Sequence, residues 1–259
     1  MINREARTTF ANISKLYDKA RISYPQTLIN DIIDFSNLKK GDKVLDVGCG
    51  TGQATILFAQ KKMNVVGLDL GKKLIEVAQK KCSSFSNTDF RIGTFEEEDF
   101  PEKSFHLIVS GMAWHWIKPK GREEKAYKIL KEKGSLALFW SYQRKWESSF
   151  VQAIGKVLNS YGEINRGPAG SKVKQISDLL YDKLKKSKLF SQVEFKEYDR
   201  NIEFTKEKYL NLVLSYGWVQ KLSEEKRDQL IKELQELLKK YKTNLIIPYR
   251  YVLVLAKKS

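Results

Sequence analysis

Between Val44 and Gly52 the chain reads Val-Leu-Asp-Val-Gly-Cys-Gly-Thr-Gly, an apolar run that breaks into three alternate glycines. Glycine lets a backbone approach a ligand closely and turn through positive φ. A glycine turn that leads into a helix can also receive a phosphate at the helix N-terminus. Here the spacing departs from the dinucleotide-binding G-x-G-x-x-G pattern, because Gly52 comes one residue early and Gln53 follows it. Asp46, two residues before the first glycine, is expected to point a carboxylate into the pocket, where it would repel a pyrophosphate and suit a cation. The chemistry indicated is a cofactor that is positively charged near the turn and carries no phosphate. S-adenosyl-L-methionine, with its ammonium and sulfonium, meets that condition. Asp46, Gly48, Gly50, Gly52 and Gln53 are the residues expected to hold it at this turn.

Three further clusters extend the expected site. Asp69 ends the next apolar run, 17 residues after Gly52, where a carboxylate can accept from both ribose hydroxyls, with Leu70 beside it. Gly93-Thr94-Phe95-Glu96 lies where an adenine would sit. There, Thr94 and Glu96 could accept from the amino group, and the Phe95 N–H could donate to a ring nitrogen. Ser110 and Gly111, closing the fourth run, complete the cofactor set. Beyond them, His115 is the candidate catalytic base or substrate hydrogen-bond partner. Trp114, Trp116, Tyr142 and Trp146 could wall an aromatic pocket that favours a sulfonium through its ring faces. Tyr17, Arg21 and Tyr24 could close over the cofactor or clamp a carboxylate, which arginine binds bidentately. His106, at a strand start, reads as structural, Cys49 as a packing residue, and no metal constellation is expected.

These residues need elements to place them. Strands are expected at 43–47, 64–69, 89–93, 105–110 and 134–140, and helices at 54–62, 72–81 and 123–131. Continuous apolar strands alternating with helices imply a parallel sheet covered on both faces, an α/β doubly wound architecture. Ligands in such sheets sit at the carboxyl ends of the strands. The stretch 141–188 breaks the alternation, with Gly162, Gly167, Pro168 and Gly170 between two helical patterns, and reads as an inserted helical cap. Strand character returns at 192–198 and 247–255. Between them an amphipathic helix is expected over 222–240, with Ser223 as its N-cap. The whole reads as one domain: a helical lid over 1–35, a cofactor-binding core over 38–140, the cap over 141–188, and strands and helices over 189–259 that complete the sheet.

The chain has 259 residues, 42% hydrophobic and 30% charged, which excludes disordered and fibrous classes. Two cysteines are too few for a disulfide framework, no apolar run approaches a membrane span, and the N-terminus lacks a signal-peptide core. A cytoplasmic protein without membrane partners is expected. The formal charge is +16. Residues 1–100 carry 15 Lys and Arg against 13 Asp and Glu, while residues 101–259 carry 32 against 18, a net of +14. Such a field attracts anionic substrates or nucleic acid. The lysines are interleaved with acids, as in Glu224-Glu225-Lys226-Arg227-Asp228, which also suits solvated helix faces.

With the glycine turn, Asp69, the Gly93–Glu96 turn and the fourth strand in register, the chain resembles the class I S-adenosylmethionine-dependent methyltransferases over roughly Phe10 to Trp140. Tyr17-Asp18-Lys19-Ala20-Arg21-Ile22-Ser23-Tyr24-Pro25 is similar to the Y…R-P-x-Y-P segment of small-molecule methyltransferases. Met112-Ala113-Trp114-His115-Trp116 is similar to their A-x-H-W segment. Both occur in the trans-aconitate-methyltransferase-like group. The resemblance implies a seven-stranded sheet whose last strand, Pro248 to Lys257, enters antiparallel. It also implies a cofactor covered by the Tyr17–Pro25 segment and a methyl site lined by Met112–Trp116. Two positions depart from the group's pattern. His106 stands where the strand usually has aspartate, and Ile22 follows Arg21 in place of proline.

The reaction so implied is an in-line displacement, in which holding the nucleophile close and aligned supplies much of the catalysis. A carboxylate acceptor needs no base, whereas a hydroxyl does. The expected activity is methyl transfer to a small molecule, with a carboxylate or hydroxyl favoured. The alternative is an RNA methyltransferase that uses the basic C-terminal part. A nicotinamide-dependent oxidoreductase is disfavoured by the Gly52 spacing and Asp46, and a non-catalytic binder by the intact cofactor motifs.

Overall fold

A computed structural model describes residues 22–144, 149–161 and 169–259. Tyr17, Arg21 and Trp146 lie outside the described residues, as does most of the expected lid. The elements run α1 (Gln26–Ser36), β1 (Lys43–Val47), α2 (Gln53–Gln60), β2 (Asn64–Asp69), α3 (Lys72–Lys81), β3 (Thr88–Ile92) and β4 (Phe105–Gly111). After a 3-10 turn (Trp114–Trp116) come α4 (Arg122–Ile129), β5 (Leu130–Gln143), α5 (Ser149–Ser160), α6 (Ala169–Lys186) and β6 (Phe190–Phe204). The chain closes with α7 (Lys206–Leu214), a second 3-10 turn (Val219–Lys221), α8 (Glu224–Lys239) and β7 (Leu245–Lys258).

Seven strands form one sheet in the order β3-β2-β1-β4-β5-β7-β6. β1 pairs parallel with β2 on one side and β4 on the other, so the direction of winding reverses between β1 and β4. That reversal opens the crevice where α/β sheets bind ligands. β7 enters antiparallel between β5 and β6, with Phe139 opposite Leu253 and Phe195 opposite Val254. Alternation along the buried strands feeds two cores. Val44, Leu107, Val109, Phe139, Tyr251 and Leu253 face one side, together with α1, α2, α5, α7 and α8. Leu45, Ile108, Leu136, Leu138, Trp140 and Val252 face the other, with α4 and α6. Both faces are therefore covered, as the continuous apolar strands require.

Most expected elements fall within a residue or two of the observed ones, and 72–81 coincides with α3. Ser223 does cap α8, its side chain accepting from the Lys226 N–H. The clearest departure is at 130–133, where the expected helix runs to Lys131 and the next expected strand begins only at Gly134. There α4 stops at Ile129 and Leu130 already pairs with Phe105 of β4. Helix-favouring Lys131, Glu132 and Lys133 are overridden by sheet pairing, and Lys133 takes a positive φ of 61° as the register shifts. Within the stretch expected as a cap, Leu180 and Leu184 of α6 are buried on the sheet, while Phe150, Val151 and Ile154 of α5 join the core of the opposite face. Among the described residues no helix is long and apolar enough to cross a membrane.

β7 is the strand through which β6 reaches the rest of the sheet, and Leu253 on it is fully buried. Leu253→Ala is expected to lower stability by about 2–5 kcal/mol, as read from urea or guanidinium unfolding.

Candidate active site

The three glycines sit at the carboxyl end of β1, and all have positive φ: Gly48 at 72°, Gly50 at 56° and Gly52 at 80°. At Gly48 space adds to the conformational demand, since a Cβ there would run into the Cβ of Ala113 in the loop after β4. Two turns thus approach each other backbone to backbone. The Gly48 and Cys49 N–H groups donate to Leu68 O at 2.8 and 3.1 Å, docking the glycine turn on the end of β2. Gly52 then takes the N-cap position of α2. Cys49 is buried in this turn as a packing residue, and burial raises its thiol pKa well above the ordinary value.

Asp69 closes the arrangement. Its Oδ2 accepts from the Gly50 N–H at 3.0 Å and its Oδ1 from the Gly71 N–H at 2.8 Å. Burial raises the pKa of this carboxyl, and the backbone donors at Gly71 and Gly50 oppose that rise. A carboxylate has about four lone-pair sites, so the backbone bonds from Gly71, Gly50 and Leu70 leave capacity for a ribose hydroxyl. Leu70 lies half-buried beside it.

Asp46 departs from expectation. Its carboxylate is 1% exposed and accepts from Thr55 Oγ1 of α2 at 2.6 Å, so it faces the β1–α2 joint and not the open cleft. Burial lifts its pKa to about 7, against the lowering effect of the Thr55 bonds. The Gln53 side chain folds back, donating to Thr51 Oγ1 at 2.6 Å.

At the end of β3 the expected adenine acceptors are also engaged within the protein. Thr94 Oγ1 donates to Glu97 Oε2 at 3.0 Å and accepts from the Glu97 N–H at 3.2 Å, closing its own turn. Glu96 Oε1 accepts from the Lys118 N–H at 2.8 Å, tying this turn to the loop after β4. Phe95 is buried in the core against Trp114, ring centroids 5.5 Å apart. Ser110 is fully buried, donating to Val47 O at 2.8 Å, so it staples β4 to β1 and does not line the cleft. Gly111 lies directly beneath Tyr24, and a Cβ there would meet the Tyr24 hydroxyl and the Phe139 ring.

The residues expected at the acceptor side separate into two groups. Tyr24 packs edge-on against Phe139 at 4.6 Å and sits over the end of β4. His115 lies just beyond that strand, half-buried, with its ring 5.1 Å from Trp116. Trp140 of β5 donates its Nε1–H to His115 Nδ1 at 3.1 Å. The indole nitrogen is donor only, so neutral His115 carries its proton on Nε2. Trp114 and Tyr142 lie apart from Tyr24. Trp114 is fully buried under the Arg122 guanidinium, too enclosed to wall a pocket. Tyr142 packs on the sheet face covered by α6, the face from which Trp140 reaches His115, while Tyr24 packs on the other face. His106 stands at the amino end of β4, its Nδ1 accepting from the Lys43 N–H at 2.9 Å and its Nε2 3.2 Å from Asp42, far from the carboxyl ends of the strands.

Sequence reasoning missed the residues that brace these groups. Trp140 carries no signal beyond its place in an apolar strand. Glu123 reads only as the start of a helix and Arg122 lies just before it, yet both are buried: Arg122 Nε donates to Glu123 Oε1 at 2.7 Å and Lys183 Nζ to Glu123 Oε2 at 2.8 Å. Burial alone would raise the Glu123 carboxyl pKa, but the Lys183 and Arg122 hydrogen bonds hold it below the ordinary value.

The fit of this cleft to S-adenosyl-L-methionine rests on the Gly48 cradle, which any side chain would fill, and on the Asp69 carboxylate at the end of β2. Residues 44–134, from β1 to the start of β5, match a family model described as a methyltransferase domain. An uncharacterized methyltransferase of Schizosaccharomyces pombe is 24% identical over 245 residues, 92% of this chain and 89% of that protein. Among solved structures, a protein of Anaeromyxobacter dehalogenans described as a type II methyltransferase superposes with a TM-score of 0.65 at 14% identity, over 92% of this chain and 97% of that one. Phosphoethanolamine N-methyltransferase 2 of Haemonchus contortus, solved with S-adenosyl-L-methionine, gives a TM-score of 0.52 at 18% identity, over 96% of this chain and 56% of that one. The two superpositions agree with the fold.

Two outcomes follow from the geometry. Gly48→Ala is expected to abolish calorimetric binding of S-adenosyl-L-methionine, because the new methyl meets Ala113 and the backbone is held at positive φ; retained affinity would remove the turn from the site. Asp46 binds a proton in the folded chain up to about pH 7, whereas unfolded aspartate releases it near 3.8. Folding stability should therefore fall as pH rises from about 4 to 7, by an amount on the order of 4 kcal/mol from this group. In Asp46→Asn, which keeps an acceptor for Thr55, urea unfolding at pH 5 and pH 8 should show a smaller difference than in the parent protein.

Proposed function

We propose that this S-adenosyl-L-methionine-dependent methyltransferase passes the methyl group to a small molecule, with a carboxylate as the favoured acceptor and a hydroxyl second. When bound, the cofactor supplies an electrophilic methyl group on a sulfonium. The chain's own part is to hold the acceptor oxygen in line and to keep it correctly charged. One observation carries the choice of acceptor: Trp140 Nε1–H occupies the Nδ1 lone pair of His115. That lone pair is the basic site of the neutral ring, so in this arrangement His115 is an N–H donor through Nε2 and not a base. A hydroxyl acceptor needs its proton removed, whereas a carboxylate arrives already ionised and is held by donors. Tyr24 over Gly111 brings a phenol hydroxyl to the same strand end.

The remaining support is electrostatic and local. The net +14 of residues 101–259 creates a field that attracts anions. The Met112–Trp116 segment, similar to that of the trans-aconitate-methyltransferase-like group, sits in the loop that the glycine turn touches through Ala113. In this reading Gly48, Gly50, Gly52 and Asp69 hold the cofactor, and His115, Trp116 and Tyr24 border the acceptor. Tyr17 and Arg21 belong to the segment proposed to cover both.

The test is transfer of radiolabelled methyl from S-adenosyl-L-methionine to a panel of small di- and tricarboxylates, phenols, phosphoethanolamine and total RNA. The expected product is a methyl ester of a carboxylate, released as methanol by mild base. Label that enters RNA, with the steep salt dependence of phosphate contacts, or that enters only amines, would overturn the assignment.

A further inference from the structure

Trp114–Trp116 is a single 3-10 turn, and it carries the one histidine near the carboxyl end of β4. A turn this short cannot fix its own orientation, because its internal bonds amount to Trp116 N–H to Ala113 O at 2.8 Å and Ile117 N–H to Trp114 O at 3.2 Å. Its position is set from outside. Arg122 Nη1 donates to Trp114 O at 2.9 Å and to Ile117 O at 3.1 Å, gripping the carbonyls on either side of His115 and Trp116. The guanidinium also lies 5.5 Å from the centroid of the Trp114 ring.

This arginine is only 9% exposed, and burying an unpaired guanidinium would cost several kcal/mol. Glu123, next in the chain and 2% exposed, balances it through Nε, and also receives Trp114 Nε1–H at 3.5 Å. Lys183 of α6 binds the second Glu123 oxygen. A lysine at 122 could not replace the fork, since one ammonium cannot meet two carbonyls and a carboxylate in that planar arrangement. An apolar contact would fill the volume more cheaply than this buried pair, so the pair calls for a directional role.

We propose that Arg122, charge-balanced by Glu123, is the positioning residue that sets the His115 turn, and through it the alignment of the acceptor with the methyl group. The proposal rests on the small-acceptor reading for its catalytic consequence, but its structural core is testable without any acceptor. The chain has two histidines, so long-range proton–nitrogen spectra of the uniformly labelled full-length protein show one site and one internal reference. His106, held by Lys43 N–H and Asp42 at the opposite end of β4, is the reference.

In the parent protein His115 is expected as a single tautomer protonated at Nε2. In Arg122→Met the Trp140 bond is expected to loosen and both tautomers to appear, with His106 unchanged and S-adenosyl-L-methionine binding retained by calorimetry. Turnover on the best carboxylate of the panel should fall on the order of 100-fold, the loss that misplacing a reacting group by about 1 Å can cause. Because Arg122→Met strands a buried carboxylate, Arg122→Met/Glu123→Gln supplies the control: its thermal stability should recover while the mixed His115 tautomers and slow turnover persist. A His115 spectrum unchanged in Arg122→Met, or restored together with stability in the paired variant, would overturn the proposal. If no small acceptor is methylated by the parent protein yet His115 responds as stated, the acceptor reading fails and the positioning role stands.

Discussion

The site depends on one half-buried carboxylate. Asp69 takes a hydrogen bond from Gly50 on the turn after β1 and another from Gly71 on the turn after β2, so a single side chain ties the two turns together. Removing a carboxylate from water is expensive, and the backbone donors offset part of that cost. What remains is a polar group held rigidly at the reversal point of the sheet. The Gly48 and Cys49 amides on Leu68 O add a second tie between the same two strands. The crevice is therefore preorganised by backbone geometry, which side-chain rotamer changes cannot readily disturb.

A second layer joins this crevice to the loop after β4. Gly48 touches Ala113, Glu96 binds the Lys118 amide, and Ser110 ties β4 to the end of β1. The loop after β4 is thus held from the cofactor side by glycine contact and from the far side by Arg122. Several side chains that look like ligands for a cofactor in a linear reading are used here to brace loops: Asp46 on Thr55, Thr94 on its own turn, and Glu96 across to Lys118. Buried polar groups must find partners, and in a site made of turns the nearest partners are often other turns.

Much of the architecture was legible because its causes are local or periodic. Continuous apolar strands separated by amphipathic helices imply a two-faced sheet, and β1, β2 and α3 fall where their patterns end. The glycines announce positive φ, and their spacing departs from that of a dinucleotide turn. The boundary between α4 and β5 was misread because Lys131, Glu132 and Lys133 favour a helix locally, while pairing of Leu130 with Phe105 is non-local and prevails. Trp114, Trp116 and Tyr142 shared an aromatic signature in the chain, yet one is core, one is half-buried beside His115, and one lies on the α6 face.

Strand and helix order and the glycine turn with Asp69 behind it were readable from the linear chain, because residue type and short-range spacing are enough to specify backbone conformation and periodic burial. Only the tertiary structure decided which polar atoms are engaged and where they point. That His115 is a donor depends on Trp140, 25 residues away in the chain. That Glu123 is a counter-charge depends on Lys183, 60 residues away. Such partnerships are made by packing separate elements together, and no linear pattern encodes the direction of a lone pair.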